Sequence, residues 1–150
     1  MNDINGFQGE FDFLSNFYPC LIKFEGDTYP GAEHAFQAAK TLNSIERKAI
    51  CNAGSAGKAK RLGRLVKLRK NWETVKDSIM LNVLRLKFKL GSPLARQLLD
   101  TGNRKLIEKN TWGDTYWGVY NDNGKNKLGQ LLMQVRQELL DNTLEKDNVI

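Results

Sequence analysis

At 150 residues, 41% hydrophobic and 27% charged, the chain has the size and composition of one globular domain that can bury a substantial core. No apolar run approaches the ~20 residues needed to span a bilayer, and the polar start MNDINGFQGEFD is neither a secretory nor a transit signal, so a cytoplasmic protein is expected, bacterial or viral. The net charge of +6 and pI near 9.4 favour anionic partners, while one histidine, His34, and two separated cysteines, Cys20 and Cys51, exclude a zinc-type cluster and make a structural disulfide an outside prospect.

In chain order, Leu21–Phe24 and Thr28–Tyr29 read as short strands pairing across the turn-forming Glu25-Gly26-Asp27, and Pro30-Gly31 breaks the extended run. Good helix formers without a breaker predict a helix over Ala32–Leu42, and a second is expected over Ala56–Arg64 despite Gly57 and Gly63. Trp72–Leu90 carries the clearest helical period, with Val75, Ile79, Val83, Leu86 and Leu90 on one apolar face. Ser92-Pro93 reads as an N-cap with proline at the first helical position, opening a short helix to Leu99 that ends at Thr101-Gly102-Asn103. Lys105–Glu108 and Tyr116–Tyr120 are candidate strands, with a turn at Asn121-Asp122-Asn123-Gly124. Leu128, Leu131, Leu132, Val135 and Leu139 mark a last amphipathic helix, and the polar stretch 142–150 is expected to fray. The sum is a mainly α, α-rich α+β fold in a single domain, with its core at about 7–141.

Three features can carry chemistry. The interval Arg47–Lys70 holds nine basic residues and no acidic one, either a phosphate-binding surface or a solvated face. On the expected first helix, Gln37 lies about 40° and Lys40 about −20° around the axis from Glu33, so a carboxylate and an amine share one stripe, as an acid/base and a nucleophile would, or as an exposed polar face would. Trp112-Gly113-Asp114-Thr115-Tyr116-Trp117-Gly118 surrounds one carboxylate with aromatics, either a platform for a nucleobase or a turn with core anchors. Phe13-Leu14-Ser15-Asn16-Phe17-Tyr18-Pro19 is a dense aromatic segment, and Asn126 stands where the last helix begins. Phosphate-loop, dinucleotide-binding, zincin and nucleophile-elbow templates are all missing.

In order, from about Phe11 to Arg136, the fragments FLSNFYP, EHAFQAAK, AKRLGR, RKNW, LLDTGNRKLIE, DTYWG and NKLGQLLMQVR resemble the YbiA-like, or NADAR, family. The resemblance implies a compact, mainly helical N-glycosidase that needs no metal or cofactor. Described family substrates are ADP-ribose attached to guanine and early pyrimidine intermediates of riboflavin synthesis. It further implies that Lys40 attacks the anomeric carbon and forms a Schiff base, with Glu33 and Asp114 as its catalytic companions. The candidate substrate-binding residues are Asn16, Phe17, Gln37, Arg61, Arg64, Trp72, Trp112, Trp117 and Asn126. Within that set Arg61 and Arg64 would take phosphate, and Trp72 or Trp112 would stack on a base. Two segments depart from the family pattern, Gly54-Ser55-Ala56-Gly57 and Trp117-Gly118-Val119-Tyr120, and both bear on substrate identity.

Small size, the basic block and the lack of a fused biosynthetic domain favour ADP-ribosylated guanine, in nucleotides or nucleic acid, over a riboflavin intermediate. The rival from another class is a catalytically silent module that binds ADP-ribose or nucleic acid through the same arginines and aromatics. A monomer that does not engage membranes is expected.

Overall fold

The computed structural model describes residues 2–147, with side chains described to residue 143. As expected, the chain is mainly α-helical with a few short strands, and it forms two compact units: residues 16–87, and residues 1–15 together with 88–150.

In the unit of residues 16–87, strands β2 (Pro19–Phe24) and β3 (Asp27–Gly31) form an antiparallel hairpin with Ile22 opposite Tyr29 and Phe24 opposite Asp27. Asp27 therefore belongs to the strand, and the turn is the pair Glu25-Gly26. Both have positive φ, 46° and 92°, which a two-residue type I′ hairpin turn requires. The chain leads straight into α1 (Ala32–Ala38), every residue of which is buried. Helix α1 packs on both strands and on α2 (Ser44–Cys51), α3 (Ala56–Gly63) and α4 (Trp72–Lys87), so it is the centre of this unit.

The first helix is shorter than expected. After Ala38 the ladder tightens to three-residue spacing, with Lys40 N–H donating to the Gln37 carbonyl and Thr41 N–H to that of Ala38. A separate helix follows that the periodicity does not announce. Asn43 is its N-cap, accepting from the N–H groups of Ile45 and Glu46 at 2.9 and 3.0 Å. Helix α4 also ends early, at Lys87, and its buried stripe is Trp72, Ile79, Met80, Val83, Leu84 and Lys87. Leu86 and Leu90, assigned to the apolar face by their spacing, are exposed, because the buried side is rotated toward Met80 and Leu84.

In the other unit, β1 (Ile4–Asn5) runs parallel to β4 (Leu106–Ile107), and a 3-10 helix at Gly9–Leu14 buries Phe13 and Leu14. Helix α5 (Pro93–Asp100) has Ser92 as its N-cap and packs on α6 (Lys127–Asp147). The expected strand at Tyr116–Tyr120 is reduced to isolated bridges, Lys109 with Val119 and Tyr120 with Asn123. Its backbone instead serves the start of α6, the carbonyls of Tyr116 and Trp117 accepting from Lys127 and Leu128 N–H. The last helix continues through residue 147, beyond the expected core boundary; residues 148–150 of the expected tail lie outside the described residues. Cys20 and Cys51 are free thiols.

Helices α1 and α3 approach closely at Gly63, where an added Cβ would overlap the Gln37 amide and crowd its Cβ. Overpacking of this kind costs about 1–3 kcal/mol, more than the ~1 kcal/mol that alanine gains over glycine in a helix. Gly63→Ala should therefore lower the midpoint of thermal or denaturant unfolding, whereas Gly54→Ala, with open space around it, should stay within about 0.5 kcal/mol of the parent. Equal midpoints for the two variants would show that α1 and α3 have room to part.

Candidate active site

Glu33 stands in the first turn of α1 at 7% exposure. Its N–H donates to the Asn16 carbonyl at 3.1 Å, and its carboxylate accepts from Gln37 Nε2 at 2.7 Å. The i,i+4 spacing of Glu33 and Gln37 makes this bond local, and Gly63 beneath Gln37 holds the amide in place. Burial pushes the Glu33 carboxyl above the usual carboxylate range, against the opposing pull of the Gln37 hydrogen bond and the charges of Lys60 and Lys40.

Lys40 lies just past the end of α1, so the helical angle that put it on the Glu33 stripe does not describe its position. The turn nevertheless keeps the two within each other's field. Burial holds the Lys40 ammonium below its ordinary value; the Glu33 carboxylate opposes this, and the cations Arg64 and Lys60 reinforce it. A carboxyl pushed up and an amine pushed down, acting on one another, form the kind of pair that carries acid/base and nucleophilic roles at one site.

Lys60 was not among the site residues expected from the sequence. It acts on both Glu33 and Lys40, and its Nζ lies 6.0 Å from the centre of the half-exposed Phe17 ring. The usable signal was helical spacing: Lys60, Gly63 and Arg64 recur at steps of three and one, and the glycine marks the face of α3 that meets α1. Arg61, one position on from Lys60, is exposed on α3, its guanidinium back beside Gly57.

Two further acceptors are buried here. Asn16 Oδ1 and Gln37 Oε1 have no hydrogen-bond partner among the described residues, although Asn16 donates through Nδ2 to the Met80 sulfur at 3.4 Å. Such an acceptor costs roughly 1–3 kcal/mol unless something donates to it. Trp72 is 6% exposed and packs at 5.1 Å from the Phe36 ring, joining α4 to α1.

The remaining expected residues belong to the other unit. Asp114 organises a turn: its Oδ1 accepts from the N–H groups of Tyr116 and Trp117 at 3.0 and 2.9 Å, while Asn110 brackets its backbone from both sides. Trp117 is half-buried and meets Tyr116 edge to face at 4.9 Å, whereas Trp112 is 60% exposed. Asn126, expected to bind substrate, is buried; its Oδ1 accepts from Glu108 N–H and its Nδ2 donates to the Leu106 carbonyl, both at 2.9 Å, so its amide ties β4 to the start of α6. No cluster of His, Cys, Asp and Glu able to hold a metal occurs among the described residues, and no helix among them is long and apolar enough to cross a membrane.

The NADAR domain model matches residues 6–140. An N-glycosidase YbiA of Shigella boydii serotype 4 is 45% identical over 129 residues, covering 84% of this chain and 80% of that protein. A riboflavin biosynthesis protein of Vibrio vulnificus is 39% identical over 130 residues, 85% of this chain but 35% of its own length. The NMR structure of the Escherichia coli protein YbiA superposes with a TM-score of 0.83 at 39% identity, covering 97% of this chain and 90% of that one.

The shared field of Glu33, Lys40 and Lys60 makes a signed prediction. Labelling of Lys40 by an amine-reactive reagent, followed by peptide mass spectrometry across pH, should show a midpoint below that of an ordinary lysine. Lys60→Gln removes a repelling cation and should move the midpoint up; Glu33→Gln removes an attracting carboxylate and should move it down. Shifts of the same sign, or none, would mean that the three groups do not share a site.

Proposed function

We propose a substrate and a mechanism from one premise: the chain belongs to the NADAR family and is an N-glycosidase, a hydrolase of N-glycosyl compounds. The reading supported best is removal of ADP-ribose from guanine bases, with Lys40 as nucleophile. The observation that carries it is the pairing of a half-buried amine of lowered pKa with a buried carboxyl of raised pKa, beside two cations.

In the proposed reaction the neutral Lys40 amine donates its lone pair to the anomeric carbon. The carbon–nitrogen bond to the base breaks, its electrons go to the base nitrogen, and the Glu33 carboxyl supplies the proton that nitrogen needs. The ribose ring then opens: the attached lysine nitrogen gives up a proton, the bond from the anomeric carbon to the ring oxygen breaks, that oxygen takes the proton, and the lysine nitrogen is left doubly bonded to carbon. Water adds to this iminium carbon, a proton is lost, and the carbon–nitrogen bond to Lys40 breaks, freeing the amine and the sugar. Arg64 at the end of α3, with Arg61, binds the pyrophosphate by charge-assisted hydrogen bonds. Ribose hydroxyls donate to the buried acceptor Asn16 Oδ1. Phe17, 48% exposed, offers the aromatic face to a base.

A second reading has its own support. The Vibrio vulnificus relative is named for riboflavin biosynthesis, and on this reading the substrate is an early pyrimidine intermediate of that synthesis.

Both substrates should be offered to the purified protein, with the released base identified by mass spectrometry. Guanine release from an ADP-ribosylated guanine nucleotide is expected, falling at least roughly 10²-fold in Lys40→Ala. Release of a pyrimidine alone would establish the second reading. Normal turnover by Lys40→Ala would remove the nucleophile from the scheme.

A further inference from the structure

Lys40 stands on a turn, past the end of α1, so its place depends on what holds that turn. The next residue, Thr41, is 1% exposed and is gripped by both its side chain and its main chain. Thr41 Oγ1 donates to Glu46 Oε1 at 2.6 Å and accepts from Asn43 N–H at 3.1 Å. The Thr41 carbonyl accepts from Arg47 Nε at 2.7 Å. Glu46 and Arg47 are consecutive residues of α2, and each is secured at a second point. Glu46 Oε2 accepts from Lys67 N–H at 3.2 Å, and Arg47 Nη1 reaches Glu25 in the hairpin turn at 3.3 Å.

This arrangement departs from an ordinary helix start. A glutamate three residues after the N-cap usually reaches back to accept from the N-cap N–H. Here Asn43 is the N-cap and Glu46 the glutamate, but the Thr41 hydroxyl is inserted between them, taking the Asn43 N–H and giving its own proton to the carboxylate. The helix start gains nothing from the insertion, because Asn43 already caps the N–H groups of Ile45 and Glu46. What the insertion adds is a tie from α2 to the residue beside Lys40. Both ties to Thr41 carry a charged partner, and such bonds are roughly twice as strong as neutral ones. The charges that act on the Lys40 ammonium are those of Glu33, Arg64 and Lys60, so Glu46 and Arg47 reach it through the backbone.

We infer that Glu46 and Arg47 are positioning residues for Lys40: by fixing Thr41 they hold the root of the Lys40 side chain where its amine is half-buried in the field of Glu33. A nucleophile displaced by about 1 Å can lose on the order of 10²-fold in rate. The consequence for turnover rests on Lys40 as the nucleophile, whereas the consequence for the amine's surroundings does not.

The test compares Thr41→Val, which removes the hydroxyl without changing charge, with Thr41→Ser, which keeps it. Two quantities are measured on the full chain: the pH midpoint of Lys40 labelling, and kcat and KM on an ADP-ribosylated guanine nucleotide. Thr41→Val should raise the midpoint toward that of an ordinary lysine, because the amine gains water. Its kcat should fall about tenfold or more, with KM within roughly threefold of the parent. Thr41→Ser should hold both quantities near the parent. Glu46→Ala, which also serves if Thr41→Val does not fold, should likewise raise the midpoint; loss of a carboxylate by charge alone would lower it. Ser92→Ala removes the cap of α5 in the other unit, and should lower the unfolding midpoint while leaving labelling and kcat unchanged. A parental labelling midpoint in Thr41→Val and Glu46→Ala, impairment of Thr41→Ser equal to that of Thr41→Val, or a fall in kcat shared by Ser92→Ala would overturn the inference. A raised midpoint with parental turnover would uphold the positioning and remove Lys40 as the nucleophile.

Discussion

A carboxyl group buried at the head of a fully buried helix is the constraint on which the rest of the site depends. Taking an ionised carboxylate out of water costs several kcal/mol unless hydrogen bonds and opposite charge meet it. Around Glu33 those are the Gln37 amide, Lys60 and Lys40. Gln37 can serve only because α3 comes close at Gly63, and that approach is what brings Lys60 and Arg64 toward α1. Burial raises the Glu33 carboxyl and lowers the Lys40 ammonium, so one environment shifts the two groups in opposite directions.

The position of Lys40 follows from how α1 stops. Had the helix continued to Leu42, Lys40 would keep its helical angle and α2 would have no room to start at Asn43. The tightened turn after Ala38 and the bond from Arg69 N–H to the Lys40 carbonyl fix the backbone instead. The Lys40 backbone is therefore held by the 67–71 segment as well as by its own helix.

Much of this was legible in the sequence. The hairpin, α3, α5 and the core of α6 followed from turn residues, caps and apolar spacing, and Glu33, Gln37 and Lys40 stood out as one group. What escaped was set by tertiary contact or masked by local pattern. Asn43 and Glu46 have the spacing of a helix start, but the run of helix formers before them hid the break. Lys60 looked like one cation among nine, because only the α1–α3 approach distinguishes it from its neighbours. The packing of Trp72 on Phe36 and the bonds of the Asn126 amide to the 106–108 backbone are long-range contacts that no local pattern announces. The strand expected at Tyr116–Tyr120 failed because its carbonyls are needed to start α6.

The central claim is that Lys40 forms a covalent bond to the sugar during turnover. Borohydride reduces an iminium to a stable secondary amine, so adding it while the protein is hydrolysing ADP-ribosylated guanine should leave an ADP-ribosyl mass on the peptide that contains Lys40. Lys40→Ala should give no such adduct, and omitting substrate should give none either. Turnover that proceeds at full rate with nothing trapped, or an adduct found on Lys60 in place of Lys40, would contradict the account.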